Sequence, residues 1–286
     1  MKKVLTLIGL VISSFLLCGC KNDSMEGITI YTSVYPIEYI TNELYGEHAK
    51  IYNMYPQGIE PYDYKFTNKQ ISDFASSDLV IYNGLDKEKD TIVSMLNKNR
   101  NLKIIDATNK IDIQNNMDEI WINPSNALMI AKNIRDGLKE YITSDLIKNN
   151  IDNNYENLKL NLSSLDAELK GMAENAEDKS IVVSNNQFKF LEKYGLNVIS
   201  LDSKTYIEKD YNEASRLIKD KKIKYIFMKK NEKENDVIKR LKEENDDIEI
   251  KYIDTLNNIT TSDKNDGLTY YSIMLNNIDI LKEELY

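Results

Sequence analysis

The feature that most constrains this 286-residue chain is a long helical segment near its centre. From about Asp145 to Ala176, apolar residues recur at steps of three and four residues, the period of an amphipathic helix. The segment contains no proline, and Gly171 comes only near its end. The apolar positions are Ile147, Ile151, Tyr155, Leu158, Leu162, Leu165, Leu169 and Met172. A helix of this length exceeds the usual range of about 8–20 residues, so one unusually long helix divides the chain.

Short apolar runs alternate with helical segments on both sides of this helix. Before it, the predicted strands are "ITIYT", "IYNMY", "DLVIYNG" and "LKIIDAT"; after it, they are "SIVVS", "NVISL", "IKYIFM" and "IEIKYID". This alternation predicts parallel sheets covered by helices on both faces. The expected fold is therefore α/β, with two lobes joined by the long helix. We expect an N-terminal lobe at 28–144, a connecting helix at 145–177 and a C-terminal lobe at 178–286.

The N-terminus predicts export and lipid attachment. Lys2 and Lys3 precede an apolar run from Val4 to Leu17 that ends on small residues, which is typical of a secretory signal peptide and too short for a membrane span. The stretch "LCGC" resembles a bacterial lipobox, although an ordinary signal peptide with a chance cysteine is the alternative. We expect residues 1–19 to be removed, Cys20 to carry the lipid, and residues 20–27 to form a linker from the membrane.

Composition excludes several classes of function. The net charge of −9 argues against a nucleic-acid-binding surface, which needs basic residues to neutralise phosphates. The chain has a single histidine, His48, and no cysteine after Cys20, so it cannot form a zinc site from two histidines or from thiolates. It also has no nucleophile elbow and no glycine-rich phosphate loop. We therefore do not expect an enzyme.

Five segments, taken in order, resemble one family, the metal-specific solute-binding lipoproteins of zinc- and manganese-type ABC transporters. They are the opening "TSVYP", the loop "PQGIEPYDYKF", then "EIWINP", then "VVSNNQFKFLEKYGLNVI", and finally "YIDTL" with the last helix "LTYYSIMLNNIDIL". The resemblance covers nearly the whole chain after the signal peptide. It implies two α/β lobes joined by one rigid helix, with the solute held between them.

The resemblance also implies where metal ligands should lie. The family's first histidine position falls on Tyr62, its second on Glu119, and its third on Asn185, or on Asn186 if the register shifts by one. The last ligand, a carboxylate, is kept as Asp254. The chain is thus a divergent member in which every histidine ligand has been replaced.

These four side chains offer oxygen donors only, which suit hard cations. On that ground we expect manganese, iron or calcium rather than zinc as the bound ligand, with no catalytic cofactor. Two alternatives remain: a different small ligand, such as an organic metal chelate, or polar residues that only bond to one another across the cleft.

The resemblance implies the solute-binding component of an ABC-type metal uptake system, anchored by lipid on the extracytoplasmic face of the cell membrane. Its expected partners are a permease and an ATPase, and we expect a monomer that does not bind nucleic acid. The alternative is an adhesin-like surface lipoprotein that keeps the scaffold and has lost metal binding.

Overall fold

The computed structural model describes residues 25–84, 86–112, 118–245 and 247–286. The predicted signal peptide and the lipidation site Cys20 lie outside the described residues. Within the described part of the chain, no helix is both long and apolar enough to cross a membrane.

The first lobe contains a four-stranded parallel sheet in the order β2-β1-β3-β4. Its strands are β1 (Ile28–Thr32), β2 (Ala49–Asn53), β3 (Leu79–Tyr82) and β4 (Lys103–Asp106). Its helices are α1 (Tyr35–Tyr45), α2 (Asn68–Ala75), α3 (Asp86–Lys98) and α4 (Pro124–Tyr141), with single 3₁₀ turns at Pro61–Asp63 and Ile120–Ile122. Thr67 and Gln70 form the capping box that starts α2.

The second lobe repeats this topology, with parallel strands in the order β6-β5-β7-β8. Its strands are β5 (Ser180–Val183), β6 (Asn197–Ser200), β7 (Tyr225–Lys229) and β8 (Glu249–Ile253). Its helices are α6 (Glu208–Lys219), α7 (Asp236–Glu243), α8 (Thr261–Asn265) and α9 (Tyr270–Leu285). The predicted fold class, two parallel α/β lobes joined by one helix, is confirmed.

The connecting helix α5 (Asp145–Asn175) has 31 residues, and its N-cap Ser144 accepts a hydrogen bond from the backbone of Ile147. All eight apolar positions expected from the sequence are buried along it. They pack against α1 and α4 of the first lobe and α9 of the second. The apolar core is therefore continuous from one lobe through α5 to the other, which is why the helix can hold the two lobes together.

The connection between β5 and β6 contains a 3₁₀ helix, Asn186–Tyr194. Its N-cap Asn185 accepts a hydrogen bond from the backbone N–H of Gln187, and Gly195, which follows the helix, has φ +91°, a conformation that glycine adopts without a steric penalty. Phe188 and Leu191 of this helix are buried.

Candidate functional site

The loops that follow the strands of the two sheets meet in a cleft between the lobes. In open α/β sheets, ligands bind beyond the carboxyl ends of the strands, where the strand order reverses. In the second lobe this point lies between β5 and β7. Ser184 and Asn185 follow the end of β5, and Lys230 follows the end of β7. The predicted binding loop "GIEPYDYKF" lies at the corresponding edge of the first lobe, after β2.

Direct contacts join the loops of the two lobes. The side-chain amide of Asn257 donates to Glu60 Oε1, and that of Asn258 donates to the backbone carbonyls of Pro56 (2.9 Å) and Ile59. Nearby, Lys264 Nζ lies 2.7 Å from Glu38 Oε1. The binding loop is therefore held by the second lobe.

Glu119 is the buried acidic group of the cleft. It comes immediately before the 3₁₀ turn Ile120–Ile122, and its side chain has no exposed surface. Its backbone N–H donates to Gln187 Oε1 of the other lobe at 3.2 Å. Burial raises the pKa of the Glu119 carboxyl to about 7, although Lys229 and the Thr255 side chain both oppose this shift. A carboxylate in this position requires a compensating positive charge.

Lys229 supplies that charge from the opposite lobe. This residue ends β7, and its Nζ donates to Glu119 Oε1 at 2.9 Å, while 24% of its side chain remains exposed. Burial lowers the pKa of Lys229, whereas the negative charges of Glu119, Glu232 and Glu60 raise it. The charges outweigh the burial, so the pKa of Lys229 lies above its ordinary value. The ammonium is therefore charged at neutral pH.

Tyr62 lies on the first-lobe side of the same cluster. Its hydroxyl is buried, and burial together with the charge of Glu119 raises its pKa well above the ordinary value. The phenol therefore stays protonated near neutral pH in this structure. Glu60, two residues earlier, is exposed but still interacts electrostatically with Lys229.

Asn185 is held by a separate polar network. Its Nδ2 donates to Glu232 Oε2 at 3.1 Å, and the same oxygen accepts hydrogen bonds from Ser184 Oγ and from the backbone N–H of Lys229. The alternative residue, Asn186, donates to Thr205 Oγ1 at 2.8 Å on the exposed side of the loop. Of the two, Asn185 lies nearer the cleft cluster, because Glu232 joins it to the backbone of Lys229.

Asp254 follows β8 and forms an ion pair with a different lysine, Lys230. Lys230 Nζ lies 2.8 Å from Asp254 Oδ2, and the other carboxylate oxygen accepts the backbone N–H of Leu256 at 2.9 Å. Leu256 is buried and has φ +61°, a conformation that costs a residue with a side chain roughly 1–3 kcal/mol. The loop carrying Asp254 is thus fixed by local bonds.

Trp121 has a structural position next to the cleft. It is fully buried, its Nε1 donates to the Thr255 carbonyl at 2.7 Å, and its own carbonyl accepts from the Tyr270 hydroxyl at 2.6 Å. Both bonds cross from one lobe to the other. The indole therefore fixes the segment that carries Glu119.

The structure thus brings Glu119, Tyr62 and Lys229 together and gives Asn185 and Asp254 other polar partners. Among the described residues, no group of three or more histidine, cysteine or acidic side chains is arranged to hold a metal ion. Sequence reasoning missed Lys229. A signal was available, because this lysine directly follows the predicted strand "IKYIFM", at the sheet edge where the other candidate residues lie.

A family comparison matches most of the chain. The model of a family described as "Zinc-uptake complex component A periplasmic" matches residues 30–284. This span contains both sheets, the connecting helix and all four predicted ligand positions.

The chain is also similar to named zinc-binding and manganese transport proteins. The zinc-binding protein AdcA of Streptococcus pyogenes serotype M1 is 24% identical over 322 residues, which cover 98% of this chain and 61% of AdcA. The chain therefore spans about three-fifths of the length of these relatives. The manganese ABC transporter substrate-binding lipoprotein PsaA of Streptococcus anginosus is 26% identical, with 100% of this chain and 99% of PsaA covered.

A solved structure shows the same fold. The Zn(II)-bound ZnuA-like domain of Streptococcus pneumoniae AdcA superposes with a TM-score of 0.74 at 22% identity, covering 91% of this chain and 99% of that domain.

These findings contradict the expectation of manganese, iron or calcium rather than zinc, because AdcA is named as zinc-binding and its ZnuA-like domain carries Zn(II). The physical error lies in treating four oxygen donors as one converging set. In the structure, Asp254 is paired with Lys230, and Asn185 is paired with Glu232. The four side chains therefore do not form one set of oxygen ligands, and the preference of oxygen donors for hard cations gives no reason to exclude zinc.

Proposed function

Because the chain belongs to the zinc-uptake complex component A family, we propose that it is the solute-binding receptor of an ABC-type metal uptake system. Its cargo is a divalent transition-metal cation, or a small complex of one, bound between the two lobes. The observation that carries this proposal is Glu119, a fully buried carboxylate that lies between the lobes and faces a cation. A buried acidic group of this kind is costly without a positive charge beside it, a charge that Lys229 supplies in this structure and that a bound metal cation would also supply.

The remaining parts of the proposal follow from the same family. The lipid on Cys20 anchors the receptor at the extracytoplasmic face of the membrane, and a permease and an ATPase receive its cargo. The receptor acts as a monomer, and it binds and releases solute without chemical change. The adhesin-like alternative is not favoured, since the matching family is described as a zinc-uptake component and PsaA is named as an ABC transporter lipoprotein.

Metal titration of the purified full-length chain tests this function. We expect Zn²⁺ to bind with a Kd at or below about 1 μM, which corresponds to roughly −8 kcal/mol. Glu119→Gln should weaken the binding at least tenfold, because the amide keeps the shape and removes the charge. The exposed Glu192→Gln is the matched control and should leave Kd unchanged.

Two results would contradict the proposal. One is the absence of binding at micromolar concentrations of both Zn²⁺ and Mn²⁺. The other is equal affinity in the wild type and a folded Glu119→Gln protein, which would remove the cleft carboxylate from the function.

A further inference from the structure

Lys229 occupies the place where a cation from solution would meet Glu119. Its Nζ lies 2.9 Å from Glu119 Oε1, which is the distance of a charge-assisted hydrogen bond. A zinc ion needs a carboxylate oxygen at about 2.0–2.2 Å. An ammonium at Oε1 disfavours a divalent ion at the same buried carboxylate, because their like charges repel each other across a few ångströms.

The surroundings of the ammonium allow it to leave. Glu119 is fully buried, whereas a quarter of the Lys229 side chain reaches solvent. The backbone N–H of Lys229 is fixed by Glu232, so movement is confined to the flexible four-carbon stem. Glu60 is exposed and already interacts with the same ammonium, so it offers a second carboxylate nearer to water.

We propose that Lys229 is a tethered cation that competes with the metal cargo for Glu119 and thereby sets the metal affinity of the cleft. This inference rests on the proposed function and names the residue that regulates its site. While no cargo is bound, Lys229 neutralises the buried carboxylate. Cargo binding displaces the ammonium toward the cleft mouth, so part of the binding free energy is spent on breaking the ion pair.

The other reading of the same contact is a structural bridge between the lobes. The two readings predict different changes in metal affinity when the charge of Lys229 is removed. Removing a competitor tightens metal binding, whereas removing a structural bridge weakens it or leaves it unchanged.

Zn²⁺ titration of full-length variants against a competing chelator separates these readings. Lys229→Met keeps the length of the side chain without its charge, and we expect it to bind Zn²⁺ at least tenfold more tightly than the wild type. Lys229→Gln keeps a hydrogen-bond donor and should show the same direction of change. Lys229→Arg keeps the charge and should stay within threefold of the wild type.

Lys264→Met is the matched control, because Lys264 also joins the second lobe to a first-lobe carboxylate, at Glu38, and lies outside the Glu119 ion pair. It should stay within threefold of the wild type. Far-UV circular dichroism establishes that each variant is folded. The fluorescence of Trp121, the only tryptophan in the chain, gives a second readout two residues from Glu119.

The outcomes distinguish this inference from the proposed function. If the wild type binds Zn²⁺ and the folded Met and Gln variants bind equally or more weakly, the inference fails and the transport function stands. If only the Lys229 variants bind, the inference holds and the wild-type protein is not a metal receptor. If no protein binds, both fail. Loss of folding in both uncharged variants would identify a structural bridge and overturn the inference.

Discussion

Replacing the carboxyl group of Glu88 by an amide should stabilise the protein above neutral pH. Glu88 lies in the first turn of α3, and only 7% of its surface is exposed. Its Oε2 accepts the backbone N–H of Asn83 at 2.9 Å, and its Oε1 accepts the Tyr55 hydroxyl at 3.3 Å. A glutamine can keep an acceptor for Asn83 while its amide group faces the tyrosine oxygen. Glu88→Gln therefore removes a charge with little change in shape.

The magnitude follows from the pKa of Glu88. Burial raises this pKa from 4.5 to about 7, although hydrogen bonds from Asn83, Ser33 and Tyr55 oppose the shift. The native state therefore holds the proton more tightly than the unfolded chain. The resulting stability is fully present below pH 4.5 and is lost as the pH rises through about 7. At about 1.4 kcal/mol for each pKa unit, the upper limit of the loss is about 3.5 kcal/mol.

Urea denaturation followed by circular dichroism measures this effect. We expect Glu88→Gln to be about 1–3 kcal/mol more stable than the wild type at pH 8, with the difference vanishing near pH 4.5. Glu119 and Glu284, whose pKa values burial also raises to about 7, contribute equally to both proteins and cancel in the comparison. The exposed Glu192→Gln should show no such difference. A Glu88→Gln protein that is less stable than the wild type at pH 8 would refute the reasoning.

Two further predictions concern the lobe contact and the anchor. Trp121→Phe should lower the free energy of unfolding by about 2–4 kcal/mol, because the buried Thr255 carbonyl loses its hydrogen-bond donor and the smaller ring makes fewer contacts. The control Tyr252→Phe, at an exposed position, should change it by less than about 0.5 kcal/mol. An equally small effect of Trp121→Phe in urea denaturation would contradict the role of Trp121 between the lobes. Cys20→Ala should release the protein from membranes in cell fractionation, since the lipid attachment is lost, and a membrane-bound variant would rule out that anchor.

The architecture could be predicted because its signals are local. The three- and four-residue steps from Ile147 to Met172 define one face of a helix whatever packs against it, and all eight apolar positions are buried. The capping box at Thr67 depends on residues three apart in the sequence, and it starts α2. Apolar spacing alone does not distinguish the 3₁₀ winding of Asn186–Tyr194 from an α-helix.

The candidate site could be predicted only in part. Motif order located the loop at Glu60–Tyr62 and the turn at Glu119, and the structure places Glu119 close enough to Tyr62 for its charge to raise the pKa of the phenol. The ligand role of Tyr62, Glu119, Asn185 and Asp254 stays a prediction. The preference against zinc was wrong, because donor chemistry was inferred from residue types without knowing which side chains converge.

The sequence by itself determined the two strand–helix repeats, the helix between them and the position of the binding loop. Each of these depends on residues that are close in the chain. Only the tertiary structure decided what faces Glu119. The contact with Lys229 joins residues 110 positions apart and exists because α5 holds the carboxyl ends of the two sheets toward each other. No local sequence pattern predicts a contact between residues so far apart in the chain. The pairing of Lys229 with Glu119 is therefore evident only from the tertiary structure.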